Sequence, residues 1–291
     1  MKDFAPPQIY GVIGFPLGHS MSPRLHTSAF RILGLPAVLT PWSLEPEKLP
    51  AFMEAFRLLK IQGACVTIPH KREIIALADQ STELVKAVGA ANLLYWRDGQ
   101  VWADNTDVPG FLAPLRQPAG PFNPTTAADL VQPLSGETSA LVLGAGGAAR
   151  AVVVGLQSLG LTDITVTDIN PEAASALAAD FDLQSRPWEE RQTAAADLII
   201  NVTPLGMLGC LEDQSPFPAE WFSGRRPGLA YDIVYSPFET RFLKEAKAAG
   251  WLTVNGLPMF LEQADHQFQT WTGRHLPDEA KQEVWDELSG R

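Results

Sequence analysis

Cysteine is scarce in this chain, and its placement fits neither a disulfide framework nor a metal site. The two cysteines, Cys65 and Cys210, lie far apart and outside any CxxC spacing. The histidines form no HxxxH or HExxH pair, so spacing predicts no metal ligands from them either. We therefore expect a protein of a reducing compartment that binds no metal.

The chain also lacks an excess of positive charge and a long uninterrupted apolar run. Its formal net charge is −11, whereas a nucleic-acid interface needs clustered Lys and Arg side chains to neutralise phosphates. The most apolar long stretch, 140–160, is interrupted by Arg150 and by glycines, and residues 1–7 lack the apolar core of a signal peptide. These features predict a cytoplasmic protein with no nucleic-acid partner and no membrane partner.

Apolar residues are abundant, and their distribution predicts two domains. Hydrophobic residues make up 46% of the 291-residue chain, which is the normal globular range, and the length exceeds the usual size of one core. A segment with four prolines, 116–137, is typical of a linker, and the domain junction is expected just before it. The first domain should comprise residues 1–110, completed by helices at about 257–291, and the second residues 111–256.

Strand and helix patterns alternate along both predicted domains. In the first, a strand ending near Phe15 leads to a loop and a helix from Pro23, for which Ser22 is the expected N-cap. In the second, strands at 140–143, 163–167 and 198–201 alternate with helices. Repeated alternation predicts an α/β fold with a parallel sheet covered by helices on both faces.

A glycine-rich turn joins the strand at 140–143 to the following helix. Glycines let the backbone approach a pyrophosphate, whose charge is met by free N–H groups and by the helix dipole. Another strand ends at Asp168, which lies 21 residues past Gly147, at the spacing expected for a ribose-binding carboxylate. The turn therefore predicts dinucleotide binding, by residues Gly144, Ala145, Gly146, Gly147 and Ala148.

Asp168 also bears on which dinucleotide binds. A carboxylate at this position accepts hydrogen bonds from ribose hydroxyls and repels a 2′-phosphate. Neighbouring Ile169 offers no cationic fork of the kind that a 2′-phosphate requires. We therefore expect NAD to be favoured as the cofactor, with NADP as the alternative.

Lys71 follows a predicted strand, 63–68, that stops at Pro69. An exposed lysine is protonated at neutral pH, so a lysine base requires partial burial and a nearby carboxylate. The hydroxyl of Thr67 lies a few residues before Lys71 in the sequence. This pattern alone leaves two interpretations open for Lys71, a surface residue and a catalytic base.

Several motifs, in matching order and spacing over nearly the whole chain, make this sequence resemble the shikimate dehydrogenase family. They are His19-Ser20-Met21-Ser22-Pro23 with His26, the stretch 66–71, Ala91-Asn92, Asn105-Thr106-Asp107, the glycine turn, the stretch 201–207, Tyr235-Ser236-Pro237, and the stretch 256–263. The resemblance implies an N-terminal α/β substrate-binding domain and a Rossmann-type, doubly wound parallel-sheet domain that binds the dinucleotide. It implies reversible nicotinamide-dependent reduction of 3-dehydroshikimate to shikimate, in aromatic amino acid and chorismate biosynthesis.

The resemblance also implies roles for individual residues. Lys71 and Asp107 would be the catalytic pair, with Lys71 exchanging a proton with the substrate oxygen. Contacts with a small polyhydroxylated ring carboxylate are implied for Ser20, Ser22, Thr67, Asn92, Asp107, Tyr235 and Gln263. Besides the glycine turn and Asp168, cofactor contacts are implied for Thr203, Ile233 and Gly256. A monomer or homodimer is typical of the family.

Some positions depart from the family pattern and leave alternatives open. NADP-using members generally carry an Asn-Arg-Thr-like segment where this chain has Asp168-Ile169-Asn170, which agrees with the expectation of NAD. The usual asparagines after His26 and before Val66 are Thr27 and Cys65, so the substrate alternatives stay open. An NAD-dependent quinate/shikimate dehydrogenase acting mainly on quinate is the alternative, although the small hydroxyl of Ser22 favours shikimate. The alternative of another class is a catalytically silent nucleotide-binding regulator.

Overall fold

The computed structural model describes residues 6–18, 20–116, 120–123, 134–209 and 211–290. The chain forms two compact units, one of residues up to Thr106 together with Gln263 onward, and one of Asp107–Glu262. The sequence predicts these boundaries after residues 110 and 256. His19, Cys210 and most of the predicted linker lie outside the described residues.

The first unit is built on a mixed six-stranded sheet. Its strands are β1 (Gln8–Gly14), β2 (Ala37–Ser43), β3 (Gly63–Val66), β4 (Gln80–Ser81), β5 (Leu93–Arg97) and β6 (Gln100–Asp104). Their order is β2-β1-β3-β5-β6-β4; β5 runs antiparallel to β3 and β6, and the other pairs are parallel. The helices wholly within this unit are α1 (Ser22–Ile32), α2 (Leu49–Leu58), α3 (Glu83–Val88) and α9 (Asp278–Ser289), with short 3-10 helices at Pro46–Lys48 and Glu73–Leu77.

Apolar layers cover both faces of this sheet. On one face, α2 buries Met53 and Phe56 against strand residues such as Ile13, a spacing that places them on one side of the helix. On the other face, Tyr10 of β1 stacks on Phe30 of α1 at a centroid distance of 5.1 Å. Packed side chains on both faces therefore support the sheet whose strand ends carry the loops.

The second unit is built on a six-stranded sheet in which all neighbouring strands are parallel. Its strands are β7 (Ala140–Leu143), β8 (Ile164–Thr167), β9 (Gln184–Ser185), β10 (Leu198–Asn201), β11 (Leu229–Asp232) and β12 (Leu252–Val254). The helices are α4 (Asp107–Arg116), α5 (Gly147–Ser158), α6 (Pro171–Phe181), α7 (Arg241–Ala248) and α8 (Leu257–Thr272), with 3-10 helices at Trp188–Thr193 and Ala219–Trp221. The unit boundary falls within α8. This architecture confirms the predicted α/β fold.

The strand order of the second unit defines where a ligand is expected. The order is β12-β11-β10-β7-β8-β9, so the chain moves from β7 to β8 and β9, and then returns to place β10 on the other side of β7. Strands β7, β8, β10 and β11 are buried throughout, as expected for a doubly covered parallel sheet. In such sheets ligands bind outside the carboxyl ends of the strands, where the order reverses.

Among the described strands and α-helices, four have no counterpart among the sequence-based predictions: β2, β4, β9 and α4. β2 contains Pro41, which a sheet tolerates because this strand lies at the edge. α4 contains Pro109 and Pro114 but is buried along most of its length, so tertiary packing outweighs its poor helix propensity. The predicted N-cap role of Ser22 is wrong, because the N-cap is Met21 and Ser22 is the first helical residue. None of the described helices combines the length and apolar character of a transmembrane span.

Candidate active site

Two predicted carboxylate-binding serines lie together at the start of α1. The backbone N–H of Ser22 donates to Ser20 Oγ at 3.3 Å, and Ser22 is buried. The first turn of α1 contains no acidic residue. Because a helix N-terminus favours negative charge, the two hydroxyls lie where a carboxylate would be stabilised.

Lys71 is a buried residue, only 9% exposed, which excludes the interpretation as a surface lysine. Its position follows from the end of β3, where the N–H of Thr67 donates to Ile13 O at 2.9 Å. Lys71 O in turn accepts from the N–H of Ala91 at 2.7 Å. Strand and loop hydrogen bonds therefore fix the backbone on both sides of the lysine.

Asn92 and Gln263, predicted from distant motifs, meet in one buried network of the first unit. Asn92 Nδ2 donates to Thr106 Oγ1 at 2.9 Å and to Gln263 Oε1 at 3.3 Å. The N–H of Thr106 donates back to Asn92 Oδ1 at 2.7 Å. Such mutual bonding holds the carboxamides in fixed orientations, which suits recognition of ring hydroxyls.

Asp107 and Tyr235 belong to the second unit. Asp107 is the first residue of α4 and is buried, with its charge at the favourable end of the helix dipole. The ring of Tyr235 packs against Phe260 at a centroid distance of 4.6 Å. Both predicted substrate residues are therefore held by ordered elements of that unit.

The glycine turn after β7 has the features that a pyrophosphate needs. Gly144 has a φ of +115°, and a Cβ there would meet Val202 O at 3.1 Å, so glycine permits a close approach to the loop after β10. Gly146 is the N-cap of α5 and, as a glycine, contributes no side chain to cap the helix. The first-turn N–H groups of α5 therefore suit a dinucleotide phosphate, and the turn fits the predicted cofactor.

Asp168 follows β8 and bonds to the backbone of the turn itself. Its Oδ2 accepts from the N–H of Ala145 at 2.7 Å, and its Oδ1 accepts from the N–H of Asn170 at 2.8 Å. Asn170 is the N-cap of α6 and accepts from Glu172 and Ala173. Both carboxylate oxygens of Asp168 thus stabilise the turn and the start of α6.

Ile233 and Gly256, predicted to line the nicotinamide, lie side by side. A Cβ at Gly256 would lie 2.1 Å from Ile233 O, which no side chain could tolerate without a backbone shift. The N–H of Gly256 donates to Val234 O at 3.1 Å. The close approach explains why glycine occupies this position at the end of the sheet.

A buried carboxylate, Asp232, fixes the loop after β10, and sequence reasoning missed it. Asp232 accepts from Asn201 Nδ2 at 2.9 Å and from Thr240 Oγ1 at 2.6 Å. Asn201 Oδ1 then accepts from the N–H and Oγ1 of Thr203, at 3.0 and 2.6 Å. Burial raises the pKa of Asp232 to about 7. The available signal was an acidic residue that ends an otherwise apolar strand.

The remaining histidine and cysteine near Lys71 have structural roles. His70 is buried, and its Nε2 lies 2.7 Å from Leu44 O. Cys65 is a buried residue of β3, and burial raises the pKa of its thiol, which disfavours a nucleophilic thiolate. Within the described ranges, no three His, Cys, Asp or Glu side chains are grouped as metal ligands would be.

A doubly wound parallel sheet with a glycine turn, in one chain with an α/β unit that carries buried polar groups, is the composition expected of a nicotinamide-dependent dehydrogenase. A family model described as shikimate dehydrogenase substrate binding domain matches residues 12–94. The shikimate dehydrogenase (NADP(+)) of Pelobacter propionicus is 56% identical over 99% of either chain, and that of Oleidesulfovibrio alaskensis is 45% identical over 94% of this chain and 92% of its own. The chain belongs to the shikimate dehydrogenase family.

A solved structure agrees with this assignment. The Thermus thermophilus shikimate 5-dehydrogenase, in complex with NADP(H) and shikimate, is 35% identical, with a TM-score of 0.79. The match covers 97% of this chain and 99% of that one. Nearly all of the chain therefore matches the fold of a family member.

The prediction that NAD is favoured is wrong. Both relatives are named for NADP(+), and the Thermus structure contains NADP(H). The prediction treated Asp168 as a ribose acceptor, whereas its two oxygens accept hydrogen bonds from the N–H groups of Ala145 and Asn170. Its sequence position resembles that of a ribose-binding carboxylate, but its hydrogen bonds are those of a residue that supports the turn.

Proposed function

We propose that the protein catalyses the reversible NADP-dependent reduction of 3-dehydroshikimate to shikimate. The observation that carries this proposal is the pairing, within one unit, of an anion-favouring helix start with a buried polar network. Ser20 and Ser22 suit a carboxylate, and Asn92, Thr106 and Gln263 suit ring hydroxyls. A small polyhydroxylated ring acid matches both features.

Lys71 and Asp107 are proposed as the residues for transfer of the proton to and from the substrate oxygen. When shikimate is oxidised, the ring C–H bond breaks as hydride departs and the O–H proton passes to Lys71 Nζ. In the reduction, Lys71 returns that proton to the oxygen. Asp107 is proposed as the second member of the pair, the role that the family resemblance implies for it. Burial of both residues limits competition from water for this proton.

The second unit is proposed to hold the cofactor, which supplies or accepts the hydride when bound. The N–H groups at the start of α5 would hold the pyrophosphate, because they lack a capping side chain. Thr203, Ile233 and Gly256 would line the nicotinamide end. Asp168 would act indirectly, by fixing the glycine turn.

The alternatives are less well supported. The relatives are named for shikimate, so quinate as the main substrate is not favoured. A silent regulator would not require a buried lysine and a satisfied polar network. We keep the cytoplasm, and a monomer or homodimer, as predictions from composition and family resemblance.

The experiment is a comparison of Lys71→Ala with a lysine control. Lys86 is exposed and pairs with Glu83, so Lys86→Ala serves as the matched variant. Lys71→Ala should lower kcat for shikimate oxidation by about 100-fold to 10,000-fold, while shikimate binding measured by calorimetry persists. Unchanged turnover in Lys71→Ala would overturn the assigned role.

A further inference from the structure

We propose that Gln267, together with Cys65, is a positioning residue that sets the affinity for the ring acid by holding Asn92. No predicted motif role covers either side chain. The inference rests on the proposed function, because Asn92 and Gln263 are taken as substrate contacts. It adds a second layer of residues that determines where those contacts lie.

Gln267 lies in the interior of the first unit, where it is 1% exposed, and it bonds at both ends of its carboxamide. Its Oε1 accepts from Cys65 Sγ at 3.0 Å, and its Nε2 donates to Asn92 O at 3.3 Å. Asn92 O also accepts from the N–H of Val66 at 2.8 Å. One side chain thus links α8, β3 and the residue that precedes β5.

Helical spacing makes Gln267 and Gln263 act on the same residue. They are four positions apart on α8, so their side chains lie on one face of the helix. Gln267 holds the main chain of Asn92, and Gln263 Oε1 accepts from the side chain of Asn92. A shift of the Gln267 side chain would therefore displace Asn92 and alter the hydrogen bond between Asn92 and Gln263.

Cys65 is suited to remain the donor in this arrangement. Burial raises the pKa of its thiol, so the S–H proton stays in place and is available to Gln267 Oε1. Replacing the Gln267 carboxamide with an apolar side chain would leave the thiol without its acceptor. Asn92 O would lose the bond from Gln267 Nε2. Buried polar groups that lose a hydrogen bond cost free energy, and this cost favours local rearrangement.

The variants are Gln267→Met, which keeps length and volume, and Gln269→Met as the control. Gln269 lies on the same helix but is exposed and contacts His275. Gln267→Met should raise the KM for shikimate by about threefold to tenfold, with the KM for NADP unchanged. The same substitution in an Asn92→Ala background should change the KM by less than about twofold, because the residue acts through Asn92. An unaltered KM in Gln267→Met, or a full effect that persists without the Asn92 side chain, would overturn the proposal.

A second measurement does not depend on turnover. The N–H of Thr106 donates to Asn92 Oδ1, so its hydrogen exchange, followed by NMR, should accelerate in Gln267→Met and not in Gln269→Met. If the wild-type protein oxidised no shikimate, the proposed function would fail, while faster exchange at Thr106 would still support positioning. Should Gln267→Met not fold, Cys65→Ala removes the thiol that donates to Gln267 Oε1, and Cys65→Ser restores a donor. Faster exchange in Cys65→Ala with recovery in Cys65→Ser is the expected result, and identical exchange in both would contradict the positioning role.

Discussion

Asp232 Oδ1 accepts a hydrogen bond from Asn201 Nδ2 at 2.9 Å, across the carboxyl ends of two adjacent parallel strands of the second unit. The bond orients the carboxamide of Asn201, whose oxygen then accepts from Thr203. A loop predicted to contact the cofactor is therefore held by a buried acid. The protonation state of that acid affects the stability of the fold.

Stability should depend on pH through Asp232. Burial raises its pKa from 3.8 to about 7, so the folded state retains a proton that the unfolded chain has lost. The contribution of this group to the free energy of unfolding is therefore greatest at low pH and declines as pH rises from about 4 to about 7. In urea unfolding over that range, Asp232→Asn should show a shallower loss of stability than the wild type. The exposed Asp98→Asn should follow the wild type, and parallel curves for Asp232→Asn would contradict the raised pKa.

The Asp168→Ala variant tests whether the carboxylate supports the glycine turn or discriminates against the 2′-phosphate of NADP. Because Asp168 supports the turn through Ala145, its loss should weaken NADP binding and lower kcat/KM with NADP by about threefold to tenfold. Initial rates with varied NADP measure this, with the exposed Asp163→Ala as the control. If Asp168→Ala instead improved kcat/KM with NADP, the carboxylate would be repelling the 2′-phosphate rather than supporting the turn.

Gly256→Ala should impair cofactor binding through the backbone of Ile233. The new Cβ would lie 2.1 Å from Ile233 O, so the loop after β11 must move. Titration of NADPH fluorescence should show weaker binding, while calorimetric shikimate binding is preserved. Gly120→Ala is the matched control, since no atom of the described residues lies within 4 Å of a Cβ built there. Equal NADPH affinity in both variants would contradict a role for Gly256 in cofactor binding.

The sequence was most informative for the short buried strands of the second unit. Strands β7 and β10 match their predicted ranges, 140–143 and 198–201, because buried parallel strands are short apolar segments with sharp ends. Helix α4 was not predicted, because Pro109 and Pro114 lower its helix propensity whereas burial stabilises it. Local propensity alone could not weigh those two effects.

The hydrogen-bond partners of the site residues could not be predicted from the sequence. Position and spacing identified Asp168, but only its bonds to Ala145 and Asn170 indicate that it supports the turn. Gln267 carries no motif, and its contact with Cys65 joins residues 202 positions apart. Long-range pairing of this kind depends on the packed fold rather than on local patterns.

The proposed reaction is tested by initial rates of oxidation of shikimate and of quinate, each with NADP and with NAD. Absorbance of the reduced nicotinamide reports turnover in all four combinations. We expect the highest kcat/KM for shikimate with NADP. A higher kcat/KM for quinate, or no turnover with any combination, would contradict the proposed function.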